Sequence, residues 1–178
     1  MGEIHVVDHQ IVGRVRWRAV NEVSGAPIEL LDGFESINIV KVLIPQLQGV
    51  LDGRTDAPGD FFHGQMKFFR PAVNQLTAAF AEIEAQGLKD RILSFEGSHN
   101  ARLQRKRGGG PVHTPSNHAF GTALDINADF NGQGDEPAAA GTRGSVRELV
   151  PIFERHGFRW GGRFPTPDGM HFEVSGLL

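Results

Sequence analysis

Apolar residues alternate with arginines early in the chain, with Val15, Trp17 and Ala19 on one face and Arg14, Arg16 and Arg18 on the other. This period-two pattern predicts a half-exposed strand or hairpin within residues 10–23, and Ser24-Gly25-Ala26-Pro27 then predicts a turn. Residues 37–51 are apolar and rich in β-branched side chains before Pro45, so the core is expected to begin near Ile37. Residues 52–60, with Gly53, Pro58 and Gly59, read as a polar loop. Val73, Leu76, Phe80 and Ile83 recur at helical spacing between Pro71 and Gln86, with Pro71 suited to the first turn and Gly87 to the end. Ser145-Val146-Arg147-Glu148 reads as a capping box for a second helix through Leu149, Ile152 and Phe153 to Gly157, with a kink expected at Pro151. Three short strands are predicted over 91–95, 123–127 and 170–175. Alternation places Asp125 with Asn127 on one face of the second, and His171 with Glu173 on one face of the third. If those two strands are neighbours, Asp125 and His171 can share a metal.

Composition narrows the field. A chain of 178 residues is long enough to bury about two thirds of its unfolded surface in one core. The net charge of -3, with both signs interspersed, offers no electrostatic footprint for nucleic acid or an anionic membrane. There is no cysteine, which excludes disulfides and thiol chemistry. The first residues lack a basic segment followed by an apolar run, and no stretch approaches the roughly 18 apolar residues of a membrane span. A soluble chain without an export signal is expected.

The chemistry-bearing residues lie in two segments, Ser116-Asn117-His118-Ala119-Phe120-Gly121-Thr122-Ala123-Leu124-Asp125 and Asp168-Gly169-Met170-His171-Phe172-Glu173. Two histidines and a carboxylate with a further acid nearby are the residue set of a catalytic zinc site, which takes three protein ligands and leaves one position open. His118, Asp125 and His171 are the candidate ligands for one zinc per chain. Asp168, three residues before His171, is placed to act as general base without ligating, and Arg102 is the candidate cation for an oxyanion. Ser116, Glu173 and Trp160 are candidates for bonding to a ligand or to substrate. His5, His9, His63 and His156 read as structural or surface residues, while His99 and His113 flank the expected cleft. Residues 104–115, with Arg105, Lys106, Arg107 and Gly108-Gly109-Gly110, read as a mobile basic flap.

These residues resemble peptidase family M15, the zinc D,D-carboxypeptidases and L-alanyl-D-glutamate peptidases of peptidoglycan, phage endolysins among them. The resemblance covers roughly residues 39–175 and rests on SNHAFGTALDIN, GSVRELVPIFERHGFRWGG and PDGMHFEV, in that order. It implies zinc on His118, Asp125 and His171, Asp168 as catalytic base, and Arg102 as the substrate-binding arginine. The segment before Arg102 reads Ser98-His99-Asn100-Ala101, without the aromatic and proline of the family pattern. It further implies a small single α+β domain with a central, mainly antiparallel sheet flanked by helices. Residues 39–178 would be the catalytic domain, and residues 1–38 an N-terminal strand or hairpin extension of unknown role. The expected substrate is a peptidoglycan stem peptide, with D-Ala-D-Ala and L-Ala-D-Glu bonds both open. The protein is expected to be a monomer that reaches the wall, outside the cytoplasm, after release or delivery.

Two alternatives stand beside this. One is a non-catalytic, metal-containing wall-binding module of the same fold, against which a retained Asp168 argues. The other is a calcium loop over residues 125–136, since Asp125, Asn127, Asp129, Asn131 and Glu136 have the spacing of its oxygen ligands. Phe130 where the sharp turn wants glycine, Pro137 immediately after, and the lack of flanking amphipathic helices weigh against calcium.

Overall fold

Alternation of Val15, Trp17 and Ala19 with arginines produces an antiparallel hairpin, β1 (Ile4–His9) and β2 (Gly13–Ala19), in which all three apolar side chains are buried and Arg14 and Arg16 face water. The computed structural model describes residues 2–55, 57 and 59–178; Pro58, assigned above to a polar loop, lies outside the described residues. β3 (Ile28–Leu30) pairs antiparallel with β2, and its start is tied to the segment around Arg102 by Ile28 N–H to Ala101 O (2.9 Å) and Leu103 N–H to Ala26 O (2.8 Å). After a short helix α1 (Phe34–Asn38), β4 (Ile39–Leu43) pairs with β6 (Gln65–Phe69) in a two-stranded ribbon, with the short β5 (Leu51–Asp52) between them in sequence. Helix α2 (Val73–Ala85) follows. Next come β7 (Ser94–Gly97), β8 (Ala123–Ile126), helix α3 (Val150–Arg155), β9 (Phe158–Trp160) and β10 (His171–Val174).

The central sheet has the order β5-β7-β8-β10-β9, with β5 and β7 parallel and every other pair antiparallel. This is an α+β fold with a mainly antiparallel sheet and, among the described residues, three α-helices. Leu76, Phe80 and Ile83 of α2 are fully buried. At about 1.5–3 kcal/mol each, this helical stripe contributes roughly 5–9 kcal/mol of burial free energy. Phe80 meets Phe153 of α3 edge-on, and Phe153 in turn packs on Phe172 of β10, which carries the helical layer directly onto the sheet.

Several expectations change. The core does not begin at Ile37, which is 62% exposed; it begins with Val15 and Trp17, and one buried cluster runs from these through α2, α3 and the central sheet. The second helix starts at Val150, not Ser145. Ser145 Oγ accepts the Arg147 N–H at 3.2 Å and donates to Glu148, forming turns, and Pro151 falls in the first helical turn, where its missing N–H is harmless and no kink arises. Asn127 does not share a face with Asp125. It adopts a left-handed conformation (φ 58°) that ends β8, and its buried amide bonds Leu93 N, Ser94 N, Arg91 O and Gly144 O. Residues 104–115 are not a free flap, because Ser24, Gly25 and Val112 make backbone bonds between residues 22–25 and this segment. No helix among the described residues is long and apolar enough to cross a membrane.

Candidate metal centre

Strand register brings the candidate ligands together. β8 and β10 are antiparallel neighbours with Asp125 directly opposite His171, so side chains 46 residues apart meet on one face of the sheet. His118 arrives from a single 3-10 turn, Asn117–Phe120, begun by Ser116, whose Oγ accepts the His118 N–H at 3.3 Å. Gly121 ends that turn at φ 65°, and a Cβ there would lie 2.8 Å from Ile39 Cδ1 and 3.1 Å from Phe69 N. Only glycine lets this turn pack so closely on β6.

His118 Nε2 lies 3.2 Å from His171 Nδ1 and 3.2 Å from Asp125 Oδ2, and Asp125 Oδ1 lies 2.9 Å from His171 Nδ1. The outward ring nitrogens are each committed: His118 Nδ1 donates to Ser98 O at 2.8 Å, and His171 Nε2 donates to Glu173 Oε2 at 2.8 Å. Those bonds fix the tautomers and aim two nitrogen lone pairs and a carboxylate at one point. Such a convergence repels itself unless a cation sits among the three. Donors bound tetrahedrally at about 2.0–2.1 Å from zinc stand roughly 3.3 Å apart, close to the spacings found. The donor set therefore fits a divalent metal, and His118, Asp125 and His171 form a group able to hold one.

The charges agree. Burial opposes a proton on His171, but hydrogen bonds to Asp125 and Glu173 outweigh it and raise the imidazole to about 10. Burial would likewise raise Asp125 and Glu173, yet the histidines hold Asp125 well below the usual carboxylate range and His171 holds Glu173 at about 2. With no metal, this centre takes a proton as its cation.

Asp168 occupies the turn before β10, held by Asp168 N–H to Gly161 O (2.9 Å) and His171 N–H to Asp168 O (3.1 Å). Gln133 Nε2 donates to its Oδ2 at 3.3 Å, while its buried Oδ1 has no partner among the described residues. Burial raises its carboxyl, with Asp125 adding to that and His171 opposing it. Arg102, Asp168 and the three candidate ligands line one cleft of about 190 Å³, together with Phe164 and Thr166. Burial lowers the Arg102 guanidinium from its ordinary value, and its Nη1 donates to Leu103 O at 3.1 Å.

Of the remaining candidates, Ser116 and Glu173 line the cleft, and Trp160 does not. Trp160 Nε1 donates to Gly169 O at 2.7 Å, bracing the turn that carries Asp168. His113 pairs with Glu22, and His99 lines a separate depression with Lys41 and Lys67, so neither flanks this cleft. The calcium spacing does not close into a site: Asn127 and Asn131 turn their amides to backbone groups, and the exposed Glu136 pairs with Arg147 at 2.9 Å.

Sequence reasoning missed Asn117, Arg159 and Gln133. Asn117 and Arg159 both donate to Glu173, and Gln133 bonds the candidate base. Asn117 adjoins a candidate ligand in the chain and was the readable one; Arg159 and Gln133 reach the site only through tertiary pairing.

Residues 110–174 match the sequence model of a family described as D-alanyl-D-alanine carboxypeptidase. That span contains His118, Asp125, Asp168 and His171 and excludes Arg102 and the N-terminal sheet. No curated protein and no solved structure matches the chain.

Proposed function

From the match of residues 110–174 to a family described as D-alanyl-D-alanine carboxypeptidase, we propose that the chain is a peptidase of family M15, zinc-dependent and acting on the stem peptides of bacterial peptidoglycan. The observation that carries this reading is the convergence of His118 Nε2, Asp125 and His171 Nδ1 within about 3 Å of one another, beside a buried carboxyl oxygen of Asp168 without a partner among the described residues.

A divalent ion held by His118, Asp125 and His171 would supply Lewis acidity and lower the pKa of a water it binds. The chain's own groups do the rest. Asp168 accepts the proton of the attacking water, whose oxygen bonds to the peptide carbonyl carbon. Asp168 then returns that proton to the amine as the carbon–nitrogen bond breaks. A raised carboxyl suits a group that must both take and give a proton near neutral pH. Arg102 faces the developing oxyanion or a substrate carboxylate, and partial burial strengthens either contact. Asp168 also separates this reading from a pure wall-binding module, which has no use for a half-buried, half-satisfied acid beside its metal.

Incubation of the zinc-loaded protein with purified peptidoglycan, followed by mass spectrometry of the stem peptides, tests the proposal and names the bond. A new peptide pair differing from the substrate by one water supports it. Intact peptides after long incubation, with one metal bound per chain, would overturn it.

A further inference from the structure

Residues 1–38 lie outside the matched family segment, yet a hydrogen-bonded path leads from the N-terminal hairpin to a candidate ligand. His9 is the last residue of β1, and its Nδ1 accepts the backbone N–H groups of Ile11 (3.1 Å) and Val12 (3.3 Å) in the hairpin turn. Its ring packs on the buried Phe120, centroids 4.9 Å apart, in the turn that carries His118. Because Nδ1 is an acceptor, the ring proton must sit on Nε2, which donates to Asn117 Oδ1 at 2.8 Å. That bond settles the orientation of the Asn117 amide. Its Nδ2 is then directed to Glu173 Oε2, the same oxygen that accepts the His171 Nε2–H at 2.8 Å. Each link leaves one arrangement of protons for the next, from the hairpin backbone to the nitrogen of His171 that turns away from the metal position.

We propose that the N-terminal hairpin is part of the scaffold of the metal centre, with His9 as a positioning residue that acts through Asn117 and Glu173 to hold His171 in its ligating tautomer and orientation. The inference rests on the reading of His171 as a metal ligand. Without His9, Asn117 can turn its amide over, which presents Oδ1 to Glu173 in place of a donor. The carboxylate then shifts or rotates, and the His171 ring loses its fixed setting. Groups that orient metal-bound histidines typically change affinity by 10–100-fold when removed, and one step further out a smaller effect is expected.

The test measures Zn²⁺ affinity by chelator competition, the visible spectrum of the Co²⁺ form, and the thermal midpoint of the metal-free protein. The variants are His9→Ala, His9→Gln, Asn117→Ala and the double variant of His9→Ala with Asn117→Ala. His5→Ala serves as control, since His5 lies on the same strand but stacks on Trp17 (4.5 Å) and pairs with Glu22 (2.8 Å). His9→Ala is expected to weaken Zn²⁺ binding by about five- to tenfold and to alter the Co²⁺ bands. His9→Gln, whose amide can accept from the turn and donate to Asn117, should recover most of the loss, and the double variant should bind no more weakly than Asn117→Ala alone. His5→Ala should lower the thermal midpoint and leave affinity unchanged. Affinity within twofold of wild type in both His9 variants, or an equal loss in His5→Ala, would overturn the proposal while leaving the metal centre standing. A wild-type protein that binds neither ion would overturn both.

Discussion

Glu173→Gln separates the charge of the carboxylate from its shape. Glu173 is only 3% exposed, and its two oxygens receive three donors: Oε2 takes His171 Nε2 and Asn117 Nδ2, and Oε1 takes Arg159. A glutamine with its oxygen at the Oε2 position keeps both inner bonds and turns its NH₂ toward Arg159, whose side chain is 59% exposed and can swing into water. The loss is therefore confined to charge assistance, since a bond to an ionised acceptor is roughly twice as strong as its neutral counterpart. A carboxylate behind a ligating imidazole also makes the imidazole a better donor, so zinc affinity should fall by about tenfold, the low end of the range for such partners. In Glu173→Ala the His171 and Asn117 donors are stranded, at about 1–3 kcal/mol each, and affinity should fall nearer a hundredfold. Chelator competition reads the affinities, and thermal unfolding of the metal-free forms reads the stabilities. Zinc affinity of folded Glu173→Gln within twofold of wild type would refute the argument that Glu173 tunes His171.

Gly161→Ala places a Cβ 2.5 Å from the Asp168 carbonyl oxygen and 3.1 Å from His171 Cβ, so the turn carrying Asp168 must move. A displacement on the order of 1 Å is expected to cost about a hundredfold in turnover with circular dichroism unchanged. Burial pushes Glu96 up to about 7, with one oxygen accepting from Ser94 and the other unpartnered among the described residues. Because the folded pKa lies above the unfolded one, its contribution to stability is full below about 4.5 and is lost as pH rises through 7. Glu96→Gln should therefore gain up to about 3 kcal/mol on wild type between pH 4 and pH 8 in denaturant titrations, and a pH-independent difference would contradict this. His171 raised to about 10 means that zinc must displace a proton. Adding Zn²⁺ to metal-free protein at pH 7 in weak buffer should release about one proton per chain from this imidazole, read with an indicator dye.

The candidate ligands were legible from two short motifs, although the meeting of Asp125 with His171 depends on the pairing of β8 with β10 across 46 residues. Alternation put His171 and Glu173 on one face, and a glycine-broken segment carried His118 toward Asp125. The outer support was not legible, because it is built from pairings far apart in sequence: His9 with Asn117 across 108 residues, and Asn117 with Glu173 across 56. The same holds for the N-terminal hairpin, whose alternation was read correctly as a strand but whose buried face joins the common core only through tertiary packing. Asn127 was placed beside Asp125 by extending the strand period one residue too far, when its left-handed conformation and four backbone partners end the strand. The late start of α3 has a similar origin, since Ser145 and Glu148 satisfy the turns ahead of the helix in place of its first N–H groups.

In the proposed hydrolysis, His118, Asp125 and His171 hold the metal and Asp168 moves the proton. The most direct measurement is the turnover of Asp168→Ala on peptidoglycan stem peptides, with bound zinc determined in the same sample. Zinc content should equal that of wild type and turnover should fall by about 10²–10⁴-fold. Turnover within a few fold of wild type in the zinc-replete variant would contradict that role for Asp168.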